Sequence, residues 1–555
     1  MSLPGLELTQ PSEERHLASA PPSQINLKAG SEWRFEVAYG HIIKVKLLTG
    51  TAELFGTELA ESQTYTFSGT KAAIYTWHGC ELEVSAADTG NTATSDGVNA
   101  VAGHGAGGCQ SEYTAEETPM TEYANLHFAL ESMRQDAQGS GKDGPRVLLL
   151  GPEDAGKTSL AKILTAYATK VGRQPVVVNL DSTEGMLSVP GTLTATAFRT
   201  MLDIEEGWGS SPMSGPSPVP VKLPLVYCYP SANPLDAEGS VYKPIVSRLA
   251  LSVMGRLAED EEARETGIIV DTPGILSSGK PGSLELINHI VTEFAITTIV
   301  ILGSERLYST MVKQYDQKPS ASASATIFDE RVSVLKLSKS GGCVDRDETF
   351  RKATRESQIR SYFFGTTISS SASAALSLSS ISSSAVTLSP HAQVMDFASL
   401  SVYNYTIVSS DDDEEDEYDP SSLGMSGSFL PSGADDAAAH NPNSDRAAPL
   451  PGVVGSFSEN QQTSASESSS HVPLKKVLPP ASSALANTLI AVTHASTTST
   501  PAQVRDASIM GFLYVAEVDA DKGKIRVLAP IGGRLPPRAM IWARRWPTEV
   551  VGLVG

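Results

Sequence analysis

Cysteine is scarce in this sequence. The four present in 555 residues, Cys80, Cys109, Cys228 and Cys343, are far apart and form no Cys-x-x-Cys pair. That spacing argues against a zinc site or a disulfide framework, and reduced intracellular thiols are the default expectation. Long apolar runs are also missing: no stretch approaches the roughly 18 apolar residues that a membrane-spanning helix needs. The opening MSLPGLELTQPSEERH has no basic segment followed by an apolar run, so neither a membrane anchor nor a secretory leader is expected. Basic charge is short as well. Lys and Arg number 42 against 63 Asp and Glu, a net charge of −21, which argues against a protein that coats nucleic acid through general attraction. Part of the acidic excess sits in the single run Asp411–Glu417, so the folded parts are less acidic than the total.

At 555 residues the chain exceeds the length at which one hydrophobic core keeps growing, and two or three domains are expected. Between Glu32 and Ala87 the short runs WRFEV, IIKVKLLTG, AELFG, TYTF, KAAIYTWHG and ELEVS follow one another, several alternating apolar with polar. They predict a small β-sandwich. The aperiodic GNTATSDGVNAVAGHGAGGCQ then reads as a flexible boundary. A helical stretch from Tyr123 to Gln135 leads into the apolar runs at residues 146–150, 176–180, 267–270, 296–302 and 332–337, with room for crossover helices between them. Buried apolar strands alternating with helices predict a parallel α/β sheet. A Ser-rich segment follows Gly365, and the acidic block opens a Ser/Gly/Ala/Pro-rich region with too few apolar residues for a core. That region reads as a flexible tether or, alternatively, a docking segment. The expected organisation is a β-sandwich at 25–115, an α/β domain at 116–365, a linker at 366–387, a β-rich C-terminal domain at 388–409 and 476–555, and a disordered acidic insert at 410–475.

One motif carries chemistry. Gly151-Pro-Glu-Asp-Ala-Gly156-Lys157-Thr158 fills the Walker A pattern, in which glycines let backbone N–H groups curl around phosphates, a lysine reaches the β/γ oxygens and a hydroxyl meets Mg²⁺. It follows the strand Val147–Leu150 and opens a helix carrying Leu160, Ile163, Leu164 and Tyr167 on one face, the order that a true P-loop requires. ATP with Mg²⁺ is the expected ligand. Kinases, ATPases and GTPases share this cradle, so it does not name a reaction. Asp181, ending Val176-Val-Val-Asn-Leu-Asp181, stands where ligands collect in open α/β folds and is either a base or metal acid, or a turn and N-cap aspartate. Asp271, in Ile268-Ile-Val-Asp271-Thr-Pro-Gly274, is similarly a Walker B magnesium acid or a strand-end cap. After Lys339-Ser-Gly-Gly come Arg346, Arg351 and Arg355, the last two on one face of a helix from about Glu348 to Phe364. They are either lid cations over phosphates or a solvated face paired with Asp347, Glu348 and Glu356.

Several stretches together resemble the nuclear family of polynucleotide 5′-hydroxyl kinases that includes the ATP-binding subunit of the pre-mRNA cleavage and polyadenylation factor. They are Glu32-Trp-Arg-Phe-Glu-Val, Thr49-Gly-Thr-Ala-Glu-Leu-Phe-Gly, Tyr75-Thr-Trp-His-Gly, the P-loop, Leu187-Ser-Val-Pro-Gly-Thr, Glu305-Arg-Leu-Tyr, Lys339-Ser-Gly-Gly and Gly511-Phe-Leu-Tyr-Val. The resemblance implies that Glu32 and Lys71 reach over the adenine and that Asp154, Ala155, Gly156, Lys157, Thr158 and Ser159 bind the phosphates. It also implies that Asp181 matches the base toward an RNA 5′-hydroxyl, and that Arg346 and Arg351 match lid arginines. Three departures stand out. Where active members carry Asn-Thr-x-Gly-Trp this chain has Asp271-Thr-Pro-Gly-Ile275, losing both the asparagine and the aromatic clasp, and Glu184 replaces a glutamine. The pattern is closer to fungal cleavage-factor subunits. It implies an ATP-holding structural subunit of the nuclear pre-mRNA cleavage machinery, in contact with the other subunits including a scaffold; the alternative is an active kinase on RNA 5′ ends.

Overall fold

The computed structural model describes residues 22–86, 108–208, 222–315, 332–365, 389–405, 474–544, 546–548 and 550. The expected Ser-rich linker, nearly all of the acidic insert and most of the Gly/Ala boundary lie outside the described residues.

The N-terminal strands form two sheets packed face to face. One, of four strands, takes the order Ser23–Leu27, Cys80–Ala86, Ile43–Gly50, Thr64–Phe67; the other, of five, runs Thr57–Glu58, Glu53–Leu54, Thr70–Thr76, Ser31–Val37, Ser111–Ala115. Strand alternation fixes what goes inside: Trp33, Phe35, Ile43, Val45, Leu47, Phe67, Leu82 and Val84 meet in one core. Trp33 and Phe35 stack with centroids 4.5 Å apart. The strand Ser31–Val37 is also buried at Glu32 and Arg34, because its second face is covered by the rest of the protein. Cys109, read from sequence as part of a flexible loop, is buried in this core, and burial pushes its thiol up to about 12.

The α/β domain holds a seven-stranded sheet ordered Leu225–Cys228, Thr192–Ala197, Val176–Asn179, Ile268–Asp271, Arg146–Leu150, Thr298–Leu302, Ser333–Leu337. The last five are parallel neighbours, the strands that the apolar runs predicted. Two antiparallel strands extend the sheet at the Val176–Asn179 edge. Thr192–Ala197 alternates Thr with Leu and Ala, and its threonines are buried. Register places Asn179 and Leu149 on either side of Asp271, so the chain leaves the sheet at the P-loop, at Asp181 and at Asp271 along one edge. The helix Met120–Ala137 packs on the P-loop helix Lys157–Lys170, which buries Leu160, Ile163, Leu164 and Tyr167.

The C-terminal strands make a second seven-stranded sheet: His391–Asp396, Lys524–Ala529, Ile509–Asp519, Thr488–Ser496, Arg538–Ala543, Ser401–Tyr405, Leu474–Lys476. The Asp-Ala-Asp-Lys-Gly turn joins a hairpin in which Asp519 faces Lys524. Leu474 and Lys475, assigned from sequence to the acidic insert, pair instead with Tyr405 and Asn404.

Candidate functional site

A cleft of about 700 Å³ opens where the sandwich, the P-loop and the helix Glu348–Phe364 meet. Its floor is the P-loop. Gly156 adopts φ +88° and Asp154 φ +52°, so the loop curls with its amides toward one side. Gly151 donates its N–H to Ser277 Oγ at 2.9 Å, and a Cβ there would stand 2.7 Å from the Leu302 carbonyl oxygen. Lys157 is buried and folds back to donate to the Pro152 carbonyl at 2.8 Å. Burial pulls its pKa down, while the charges of Asp271, Asp181, Asp154 and Glu153 oppose the fall.

Thr158 Oγ1 donates to Asp271 Oδ2 at 2.5 Å. Among the described residues Asp271 Oδ1 is buried with no partner within hydrogen-bond distance, and burial raises the carboxyl to about 6 despite Lys157, Thr158 and the Thr272 backbone N–H, which lower it. A hydroxyl and an under-satisfied carboxylate side by side are the donor set that a hard cation such as Mg²⁺ takes, so the residues fit that ion. Asp181 lines the same cleft. Its Oδ1 accepts from Thr183 N at 2.9 Å and Thr183 Oγ1 at 2.6 Å, the turn arrangement that sequence left open as one alternative.

From the sandwich, Glu32 and Lys71 both line the cleft. Glu32 is buried and accepts from Arg34 Nε at 2.5 Å; burial raises its carboxyl, with Arg34 opposing. Arg34 in turn explains the Gly pair in Lys339-Ser-Gly-Gly. A Cβ on Gly342 would stand 2.8 Å from Arg34 Nε, so a larger residue there would displace the guanidinium from this position. Lys71 pairs with Glu36 at 2.9 Å and lies 5.0 Å over the Phe350 ring.

Arg346 and Arg351 close the cleft from the lid. Arg346 donates Nε to Asp154 Oδ1 at 2.8 Å and another nitrogen to Glu184, while Arg351 meets Asp154 at 2.8 Å and Glu153 at 3.0 Å. Burial alone would raise the Asp154 carboxyl, but hydrogen bonds from Arg346 and the charges of both arginines hold it below its usual range. Arg355 does not share this role. It pairs with Glu348 at 2.6 Å and lies 5.0 Å over the Trp546 ring, so the helical face shared with Arg351 in sequence divides between two neighbours.

Family models match all three folded regions in chain order. They are the N-terminal β-sandwich domain of polyadenylation factor at residues 26–137, the mRNA cleavage and polyadenylation factor CLP1 P-loop at 151–365, and the pre-mRNA cleavage complex II protein Clp1 at 388–548. The mRNA cleavage and polyadenylation factor clp1 of Aspergillus oryzae is 72% identical over 563 residues, and that of Neosartorya fischeri 71% over 566, each comparison covering 100% of both chains. The chain belongs to the Clp1 family of mRNA cleavage and polyadenylation factors. A solved complex of wild-type Clp1p with Pcf11p (454–563) is similar over 94% of this chain and 97% of that one, with a TM-score of 0.68 and 26% identity. A second solved structure, describing an extended Pcf11p–Clp1p interface and ATP loss in a point mutant, matches with the same TM-score and identity and covers 98% of its chain.

Of the residues singled out from sequence, Glu32, Lys71, Asp154, Gly156, Lys157, Thr158, Ser159, Asp181, Asp271, Arg346 and Arg351 line one cleft, whereas Gly151, Ala155 and Arg355 do not. Ala155 is fully buried behind the loop, and Ser159 lines the cleft beside Thr158. Ile275 and Glu184 line it too. Sequence reasoning missed Glu153, Gln358 and the Arg34–Gly342 contact. Nothing in the local pattern marks them, since their partners are distant in the chain.

Proposed function

We propose that this chain is an ATP-holding structural subunit of the nuclear machinery that cleaves pre-mRNA at its 3′ end, and that it docks a partner of the Pcf11 kind. The observation that carries the reading is the construction of the cleft from three separate parts of the chain: Glu32 and Lys71 from the sandwich, Glu153, Asp154, Gly156, Lys157, Thr158 and Ser159 from the α/β domain, and Arg346 and Arg351 from the lid. A ligand that touches all three ties them together. Glu32 and Lys71 would hold the base, the P-loop amides with Lys157 and Ser159 the phosphates, and Thr158 with Asp271 the Mg²⁺. The metal would supply charge neutralisation to the phosphate oxygens. A ligand present at about 100 times its Kd stabilises the native state by ~2.7 kcal/mol. Chain stripped of nucleotide should therefore melt lower and bind a Pcf11-type segment more weakly, both restored by Mg-ATP. Equal melting temperatures and equal partner binding with and without nucleotide would sink the proposal.

A second reading, phosphoryl transfer to an RNA 5′-hydroxyl, is favoured by Asp181, which lines the same cleft as Lys157 and Asp271. There Lys157 would hold the phosphates, Asp181 would take the hydroxyl proton, and Arg346 and Arg351 would stabilise the transferred charge. Labelled Mg-ATP and a 5′-hydroxyl RNA oligonucleotide decide it. Transfer that disappears in Lys157→Ala makes the chain a kinase, and no transfer by protein that retains ATP leaves the structural reading.

A further inference from the structure

The lid arginine has two carboxylate claimants of different kinds. Asp154 belongs to the P-loop itself, its side chain is 5% exposed, and it is fixed by Arg346 Nε at 2.8 Å, by the Arg346 backbone N–H at 2.9 Å and by Arg351 at 2.8 Å. Glu184 comes from the turn after Asp181, is 31% exposed, and reaches the same guanidinium through NH1. Asp154 is part of the cradle's architecture; Glu184 is a side chain laid across its mouth.

Around that mouth the charges do not balance. Glu32, Glu53, Glu153, Asp154, Asp181, Glu184, Asp203, Glu205, Glu206 and Asp271 line the cleft beside the cations Lys71, Lys157, Lys162, Arg346 and Arg351, and Lys162 also feels the charge of Glu184. A polyphosphate entering there adds further negative charge, and a phosphate oxygen that approaches Arg346 at Nη1 meets a position that Glu184 already holds, while Asp154 holds Nε. Charge-assisted bonds of guanidinium to carboxylate and to phosphate are of the same type and similar strength, so the exchange is a competition. The turn bearing Glu184 is also held in place: Gln358 of the lid helix accepts from Gly185 N at 3.1 Å and donates to Gly185 O at 3.3 Å.

We propose that Glu184 is an internal competitor for the lid arginine, occupying Arg346 in place of a terminal phosphate and so setting how strongly the site separates a nucleoside triphosphate from a diphosphate. This rests on the reading of the cleft as an ATP site. Glu184 is a specificity-determining residue that acts through Arg346. Replacing it by glutamine keeps the shape and an acceptor oxygen and removes the charge, so that Arg346, still anchored to Asp154 through Nε, is held more weakly at Nη1.

A double-mutant cycle on the full chain tests this. Affinities for Mg-ATP and for Mg-ADP are measured by calorimetry for wild type, Glu184→Gln, Arg346→Ala and the double variant, with thermal melts confirming that each is folded; Arg346→Gln replaces the alanine variant if that one is not. Glu184→Gln should raise ATP affinity about 10-fold and ADP affinity much less, and the ATP gain should vanish when Arg346 is absent. An ATP gain that persists without Arg346 makes Glu184 a plain repulsive charge and overturns the proposal. Equal gains for ATP and ADP, or no gain, overturn it as well. ATP binding to no variant overturns the ATP-site reading along with it, whereas tight wild-type binding with a failed cycle removes this inference alone.

Discussion

Gly274 ends the Asp271-Thr-Pro-Gly turn, and its Cα lies against the P-loop. A Cβ built there would stand 2.5 Å from the Glu153 backbone N and 2.7 Å from Glu153 Cα. Both are about 1 Å inside the ~3.5–4.0 Å at which carbon pairs attract. No rotamer relieves this, because the obstructing atoms are backbone. Gly274 does not sit at positive φ, so the cost of Gly274→Ala is overlap without torsional strain. Overpacking of this kind costs about 1–3 kcal/mol. At ~2–4 °C per kcal/mol for a domain of this size, the melting temperature of the apoprotein should fall by about 2–12 °C. The displaced backbone is that of Glu153, next to Asp154, which anchors both lid arginines. A shift of ~1 Å in groups that orient a ligand costs on the order of 10-fold or more, so ATP affinity measured by calorimetry should drop at least that far. Gly255→Ala is the control. That glycine lies in the helix Tyr242–Glu259 with nothing within 4 Å of its added Cβ, so alanine should stabilise by roughly 0.5–1 kcal/mol and leave ATP binding alone. Wild-type melting and wild-type ATP affinity in Gly274→Ala would refute the packing argument.

Three further perturbations follow from particular contacts. His127 is buried, and burial together with Arg134 pushes its pKa down to about 4, so the native ring stays neutral where the unfolded one, at 6.5, takes a proton. The stability it contributes is full above pH ~6.5 and is lost as pH falls toward 4, up to ~3 kcal/mol; urea melts from pH 7.5 to 4 should show a flatter acid limb in His127→Gln, and parallel limbs would count against it. Tyr362→Phe strands the buried Phe512 N–H that donates to its hydroxyl at 2.9 Å, and should lower stability by ~1–3 kcal/mol; an unchanged urea midpoint disposes of that hydrogen bond's importance. Lys157→Ala removes a buried ammonium that pays for its burial with a lowered pKa, so the variant should stay folded while losing the Mg-ATP-dependent rise in melting temperature; a rise equal to wild type would remove Lys157 from the phosphate site.

The parts of this fold legible in sequence are those whose signal is local. Runs such as Arg146-Val-Leu-Leu-Leu150 and Ile268-Ile-Val-Asp271 are apolar because both faces of a central parallel strand are covered, and both became central strands. The strand Thr192–Ala197 escaped notice because its buried positions are half threonine, satisfied by carbonyls such as that of Met186 for Thr194 at 3.1 Å. The P-loop announces itself by glycine spacing, and Asp271 by ending a strand. What sequence left undecided was decided by distant partners. Arg351 became a cleft residue through Glu153 and Asp154, nearly two hundred positions away, and Arg355 was drawn off by Trp546. Glu184 was legible as an unusual charge, but its partner Arg346 was not.

Those distant partners also bear on the proposed structural role of the nucleotide. The lid helix Glu348–Phe364 is gripped on several sides at once. Tyr39 of the sandwich donates to Thr354 Oγ1 at 2.9 Å, and Lys71 lies over Phe350. Gln358 brackets Gly185, and the Tyr362 hydroxyl accepts from Phe512 of the C-terminal sheet. Trp546 both underlies Arg355 and donates Nε1 to the Ser182 carbonyl at 3.1 Å, tying the turn after Asp181 to the same C-terminal segment. A lid that opens with each turnover needs few contacts to break and a hinge to absorb the motion. Here, opening must disengage the sandwich, the Asp181 turn and the C-terminal sheet together. Each contact alone is modest, but contacts sharing one rigid helix are lost in concert, so their costs accumulate in the barrier to release. Under the proposed function, such a lid slows release of the ligand and so favours its retention.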